Sequence, residues 1–222
     1  MGIAVIGSAR ATLTHLKVLS CNWGIAVAGL SQVIITDSSV ESCELGIYVT
    51  DSAEASITTT KVEDSTGLFA IYIDSSAVAS LQGVTVADNA YTGIWCGNHT
   101  QVDIQDALVE KNGRDGVAVG GSARVTITGS TIVRNAWRGI ALGDSAHVTL
   151  LRNRVASNGM YGVFLYEHPC ADTDMVYTGY LTGGSNLIPA AFETKSNGWG
   201  PVCPLVLSFL SSQEGGELDR RR

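Results

Sequence analysis

At 222 residues the chain has room for one elongated domain, or one domain with a terminal cap. Its net charge of −7 and pI near 5.0 exclude general nucleic-acid binding, which needs a basic footprint. No run of about 18 apolar residues exists to span a membrane, and 45% hydrophobic against 16% charged residues suits a core shared along a stack of coils.

From the second residue onward the chain repeats. Gly2-Ile3-Ala4-Val5 is followed by Gly24-Ile25-Ala26-Val27, Gly46-Ile47-Tyr48-Val49, Ala70-Ile71-Tyr72-Ile73, Gly93-Ile94-Trp95-Cys96, Gly116-Val117-Ala118-Val119, Gly139-Ile140-Ala141-Leu142 and Gly162-Val163-Phe164-Leu165. Successive members are 22, 22, 24, 23, 23, 23 and 23 residues apart. A period that constant is the signature of a solenoid. Within the coil 116–138, Val117 and Val119 alternate with Ala118, Gly120-Gly121-Ser122 forms a turn cluster, Val125-Thr126-Ile127-Thr128 alternates again, and Thr131-Ile132 supplies a third short strand. Nowhere does a helical period appear. The sequence therefore predicts an all-β parallel β-helix of about eight coils over residues 1–166, with neighbouring coils ~4.8 Å apart.

Stacked coils turn each repeat position into a column. Ile25, Ile47, Ile71 and Ile94 stand in one inward column, Ile35, Ile57, Leu81 and Ile104 in a second, and Val40, Val62, Val86 and Val109 in a third. Three residues beyond the valines a polar column reads Cys21, Cys43, Ser65, Asn89, Asn112, Asn135, Asn158. Small polar side chains at a corner satisfy backbone groups that the bend leaves unpaired, and Asn tolerates the left-handed conformation there. Asn89, Asn112, Asn135 and Asn158 are read as a structural ladder.

These repeats resemble the right-handed parallel β-helix family of the pectin-lyase-like superfamily. Within it, Gly-Ile-x-Val strands followed by an Asn corner are similar to carbohydrate-binding and sugar-hydrolysis repeats. The resemblance covers about residues 2–166 and implies a right-handed parallel β-helix. For activity it implies less, since this scaffold carries lyases, hydrolases, epimerases and inert spacers alike. Enzymes of the family keep charges on the outer face of the Gly-Ile-x-Val strand. Here the two outer columns (Ala4, Ala26, Tyr48, Tyr72, Trp95, Ala118, Ala141, Phe164 and Ile6, Ala28, Thr50, Asp74, Gly97, Gly120, Gly143, Tyr166) carry one charge, Asp74. A single carboxylate cannot serve as both acid and base in glycoside hydrolysis, nor cage calcium unaided. Tyr166-Glu167-His168 is similar to the Tyr/His pairing of alginate-type epimerases and lyases but lacks their surrounding motif.

Two functional readings stay open. In the first, the chain is a non-catalytic extracellular or cell-surface module touching polysaccharide through Tyr48, Tyr72 and Trp95, which face outward on consecutive coils; the same three rings could instead cover one another. In the second, it is a polysaccharide lyase or epimerase acting near Trp95, Asp74 and Tyr166. Thr12-Leu13-Thr14 and Thr126-Ile127-Thr128 resemble the ranks of ice-binding solenoids, but Ile34, Asp103 and Gln105 break the ranks. Charge is polarised: residues 37–106 hold eleven Asp/Glu against Lys61, whereas 111–154 hold seven Lys/Arg against Asp115 and Asp144.

His15, His99, His147 and His168 have no metal-site spacing, and neither metal nor cofactor is expected. Cys96 reads as a core residue, and Cys21 and Cys43 as two thiols of one column, with a bridge between them geometrically conceivable. Cys170 and Cys203 sit beside Pro169 and Pro204 and bracket an aperiodic segment. They are expected to form a disulfide, which implies an oxidising compartment or a thermophilic source. Residues 167–210 read as an irregular C-terminal cap ending in an apolar strand, Leu205 to Leu210, and 211–222 as a disordered tail. At the other end the repeats begin at once, without a leader. The uncapped first coil, with Ile3, Val5, Leu13, Leu16 and Val18 beneath it, implies a longer parent chain and predicts self-association through that coil.

Overall fold

The computed structural model describes residues 1–167, 170, 177–189 and 196–219. The chain winds as a right-handed parallel β-helix, each coil contributing one strand to each of three sheets. In the central coil these strands are Thr92–Cys96 in sheet A, Gln101–Gln105 in sheet B and Leu108–Glu110 in sheet C. Every rung is in register with the next: Ile71 pairs with Ile94, Leu81 with Ile104, and Val86 with Val109. The columns are therefore real, and Ile71, Ile94, Leu81, Ile104, Val86 and Val109 are all fully buried. At ~1.5–3 kcal/mol per buried apolar side chain, this continuous column core is the main term opposing chain entropy.

Each coil turns its corners on left-handed residues: Asn98 after sheet A, Asp106 after sheet B and Lys111 after sheet C, at φ 51°, 52° and 52°. The corner before the Asn ladder corrects the sequence expectation. The left-handed residues are Asp88, Lys111, Arg134 and Ser157, one position before each Asn. The Asn side chains are thereby free to bond. Asn89 Nδ2 donates to Asn112 Oδ1 at 2.8 Å, Asn112 to Asn135 at 2.9 Å and Asn135 to Asn158 at 3.0 Å. Each Nδ2 also reaches a backbone carbonyl, those of Val62, Val86 and Val109 at 3.2 Å. The ladder explains the Gly of the repeat: a Cβ on Gly116 would lie 2.7 Å from both Asn135 Nδ2 and the Gly139 carbonyl oxygen.

The C-terminal region departs from the sequence reading. The coils do not stop at residue 166. Tyr180–Gly184 extends sheet B beside His147–Leu151, and Gly200–Cys203 extends sheet A beside Tyr161–Leu165. Asn197 takes the next ladder rung, accepting from Asn158 Nδ2 at 2.9 Å across 39 residues. This last coil is an ordinary one lengthened by insertions. The apolar stretch expected as a strand is a 3-10 helix, Leu205–Ser211, whose Leu207 and Leu210 are fully buried. A lid over an open end must cross the core rather than extend a sheet. The tail expected to be disordered contains a strand, Gly216–Asp219, antiparallel to Tyr180–Gly184; residues 220–222 lie outside the described set. Cys170 and Cys203 are joined by a disulfide with Cα atoms 5.8 Å apart, and Cys21, Cys43 and Cys96 are free thiols.

Candidate functional site

Sheet A presents two aromatic clusters on its outer face. In the first, Tyr48 and Tyr72 are stacked, centroids 5.3 Å apart and planes 9° from parallel. Trp23 leans on Tyr48 at 5.2 Å, and Phe69 bridges Tyr72 and Trp95 at 5.2 and 5.6 Å. The ring faces are turned to one another up the solenoid. Between Trp23, Leu45, Tyr48, Leu68 and Tyr72 they leave a hollow of about 270 Å³.

Asp74 is the hub of this cluster. Its carboxylate accepts from Tyr72 Oη at 2.6 Å and Trp95 Nε1 at 3.3 Å, and also from Asn98 Nδ2 and the Ser75 backbone N–H. Burial alone would raise its pKa; the hydrogen bonds outweigh burial and hold it below the ordinary carboxylate value. A Cβ on Gly97 would lie 2.5 Å from Trp95 Nε1, so the indole reaches Asp74 only across a glycine. A carboxylate with its lone pairs so fully engaged is a fastening rather than a general base. Tyr166 stands four coils from Asp74 in the second cluster, packed on Phe164 and on the buried Arg138. The structure therefore brings Trp95 to Asp74 and leaves Tyr166 apart from both; His168 lies outside the described residues.

Sheet B holds the larger feature, an open groove of about 1010 Å³ that runs along the solenoid from Arg10 to Tyr180. Outward positions alternate along each strand, so two rows line it. Thr12, Ser56, Ser80, Thr126 and Thr149 set hydroxyls along its middle, and Gln32, Glu54, Gln101, Arg124, His147 and Tyr180 line one side. Arg124, His147 and Tyr180 are register partners on three successive rungs. Arg124 Nη1 lies 3.0 Å from His147 Nδ1, His147 meets Tyr180 edge-on at 6.3 Å, and Tyr180 Oη donates to Glu217. Since a guanidinium can only donate, the neutral imidazole accepts at Nδ1 and carries its proton on Nε2. Asp103 lies one rung before Thr126, accepting from Gln105 Nε2 at 2.6 Å, and its Oδ1 is buried without a partner.

A family model described as "Right handed beta helix region" matches residues 69–179, half of the chain. The chain belongs to the right-handed β-helix family. A second model, "Periplasmic copper-binding protein (NosD)", matches residues 1–115 of this β-helix. None of the curated proteins matches it. Among solved structures it is similar to the periplasmic alginate epimerase AlgG (TM-score 0.67, 17% identity, covering 83% of this chain and 46% of that one). A double mutant of AlgG gives a TM-score of 0.72 at 16% identity, covering 90% and 49%. The A-module of the Azotobacter vinelandii mannuronan C-5 epimerase AlgE4 gives 0.50 at 13% identity, covering 90% and 74%. This β-helix spans about half the length of AlgG, and at such identities the likeness is one of fold.

Among the described residues no group of three or more His, Cys, Asp or Glu side chains is placed to share a metal ion. A many-liganded divalent site does not fit the described residues. Two thiols do stand on adjacent rungs of one column, Cys21 half-buried and Cys43 fully buried, and burial raises the Cys43 thiol pKa. Thiols alone suit a soft ion.

Sequence reasoning missed the groove row. Arg124 and His147 are one period apart and could have been found as a column, but Tyr180 follows after an insertion that hides its register.

Proposed function

We propose that this β-helix is an extracytoplasmic module that seats an acidic polysaccharide along the sheet B groove without turning it over. The observation that carries this reading is the Arg124–His147–Tyr180 row, which sets a guanidinium and an imidazole Nε2–H beside a line of hydroxyls. Guanidinium and N–H donors suit carboxylates, and hydroxyls and amides suit sugar hydroxyls. Arg124 also belongs to the basic half of the chain, so the overall negative charge does not oppose an anion there. With Nδ1 accepting from Arg124, His147 lacks the free lone pair that a base needs. The extracytoplasmic location is supported by the disulfide and by the word periplasmic in the descriptions of NosD and AlgG.

A second reading, epimerase or lyase, is favoured by one feature: an imidazole lying between a guanidinium and a phenol. If a substrate carboxylate drew Arg124 away, Nδ1 would be released to take a proton. Titration with uronate oligosaccharides against a neutral glucan separates the readings. Binding that falls at least about tenfold in Arg124→Ala, with no unsaturated or epimerised product, supports the module. Product formation that is lost in His147→Ala replaces it with the enzyme. Binding lost in Trp95→Ala and kept in Arg124→Ala returns the site to Tyr48, Tyr72 and Trp95.

The first coil is also read as a self-association face. Among the described residues, Ile3–Val5 pairs on one edge only, and Ile3 and Leu13 pack on the core while half-exposed. Light scattering of the chain should show a dimer that Ile3→Lys dissolves.

A further inference from the structure

The corner column changes chemistry toward its N-terminal end, where Asn89 gives way to Ser65, Cys43 and Cys21. The three side chains occupy equivalent places. Cys21 Sγ lies 3.2 Å from a Cβ built on Gly2, Cys43 Sγ 3.3 Å from one on Gly24, and Ser65 Oγ 3.3 Å from one on Gly46. Each thiol donates weakly to the carbonyl two residues earlier, Cys21 to Leu19 at 3.3 Å and Cys43 to Glu41 at 3.5 Å. Ser65 is different. It is 1% exposed and its Oγ, buried one rung from Cys43, has no hydrogen-bond partner. An orphaned buried hydroxyl costs about 1–3 kcal/mol, which needs a reason.

We propose that Cys21 and Cys43 form a two-thiolate site for Cu(I), with Ser65 as the hydrogen-bond donor to the Cys43 sulfur. Register fixes the sulfurs one rung apart, ~4.8 Å. Two metal–thiolate bonds of about 2.3 Å end to end reach about 4.6 Å, so an ion held linearly between the sulfurs fits the rung spacing of the fold. Soft thiolates select Cu(I), and two ligands are too few for the tetrahedral demand of Zn(II). On binding, two S–H bonds break, two Cu–S bonds form, both protons pass to solvent and the metal stays Cu(I). The Cys43 sulfur then no longer donates to Glu41, and a rotation of the Ser65 side chain, whose hydroxyl has no partner in the metal-free chain, would bring that hydroxyl onto it as donor. Half-buried Cys21 gives the ion its entry. This site is separate from the groove, and failure of either reading leaves the other untouched.

The test is anaerobic titration of the full chain, its Cys170–Cys203 disulfide intact and its three free thiols reduced, with Cu(I) against a competing chromophoric chelator, with X-ray absorption on the loaded protein. The expected result is one Cu(I) per chain on two sulfurs, about 100-fold weaker in Cys21→Ser and unchanged in Cys96→Ser. Ser65→Ala should bind about tenfold more weakly. Should Cys43→Ser fail to fold, Cys21→Ser at its half-exposed position and the wild-type absorption spectrum still decide. No binding, binding indifferent to Cys21→Ser, a spectrum lacking two sulfur ligands, or equal retention of Zn(II) would each overturn the proposal.

Discussion

Arg138 grips Asp115 with two hydrogen bonds, Nε to Oδ1 at 2.7 Å and Nη2 to Oδ2 at 3.2 Å, and both residues are sealed from solvent. The guanidinium is stacked among Trp137, Phe164 and Tyr166, at 5.4, 4.7 and 4.6 Å. Burial pushes the Asp115 carboxyl up, and Arg138 pulls it back toward the charged form. Removing one partner strands a buried charge. Asp115→Ala should therefore cost about 3–5 kcal/mol in urea unfolding, whereas replacing both by Leu and Met should recover most of that.

Asp74 gives the fold an acid-sensitive fastening. Its folded pKa lies below the ordinary value of 3.8 because Tyr72, Ser75, Asn98 and Trp95 together outweigh burial. A lowered carboxylate contributes stability that is present above the unfolded pKa and lost as pH falls through the folded one. Asp74→Asn should cost about 2 kcal/mol at neutral pH, since an amide sets N–H groups against donors. The same variant should show a flatter loss of stability below the ordinary carboxylate range. Equal acid slopes in wild type and variant would place the titrating group elsewhere.

Asn112 bonds both ways along the ladder and also reaches the Val86 carbonyl. Its removal takes a donor from that carbonyl and an acceptor from the Asn89 amide, which keeps only the Val62 carbonyl. Asn112→Ala should cost about 3 kcal/mol, measured by denaturant midpoint, with hydrogen exchange rising first at the corners on either side of Asn112.

The period of Gly-Ile-x-Val made the coils, the three apolar columns and the ladder from Asn89 to Asn158 readable, because stacking forces like residues into like places. Lys111 and Arg134 could not be identified as left-handed from their identity. Neighbouring rungs hold them there, as when Lys111 N–H donates to the Val133 carbonyl at 3.3 Å. Asn186 and Asn197 complete two ladders after insertions that carry them 33 and 39 residues from their partners Asn153 and Asn158, beyond any fixed period. The candidate site was the least legible part. The aromatic columns were visible as residues, but ring-to-ring stacking is a matter of rotamer, and the Arg124–His147–Tyr180 row needed a register that crosses one of those insertions.

The Cys170–Cys203 disulfide ties the long insertion to the last strand of sheet A, Gly200–Cys203, which lies against Tyr161–Leu165. Directly beyond that strand, Leu207 and Leu210 close the core. The bond joins residues 33 apart, and the chain-entropy account gives ~3–4 kcal/mol for a loop of that size. In a solenoid each coil touches only its neighbours, so the loss should remain local. Reduction, or the Cys170→Ser/Cys203→Ser double variant, should raise amide exchange in Gly200–Cys203, in the 3-10 helix and next in Tyr161–Leu165. Exchange in Thr92–Cys96 should be unchanged, because two intact rungs, Val117–Val119 and Ile140–Leu142, separate it from the loosened strands. A uniform rise along all coils would instead mean that the lid and the N-terminal coils unfold as one cooperative unit.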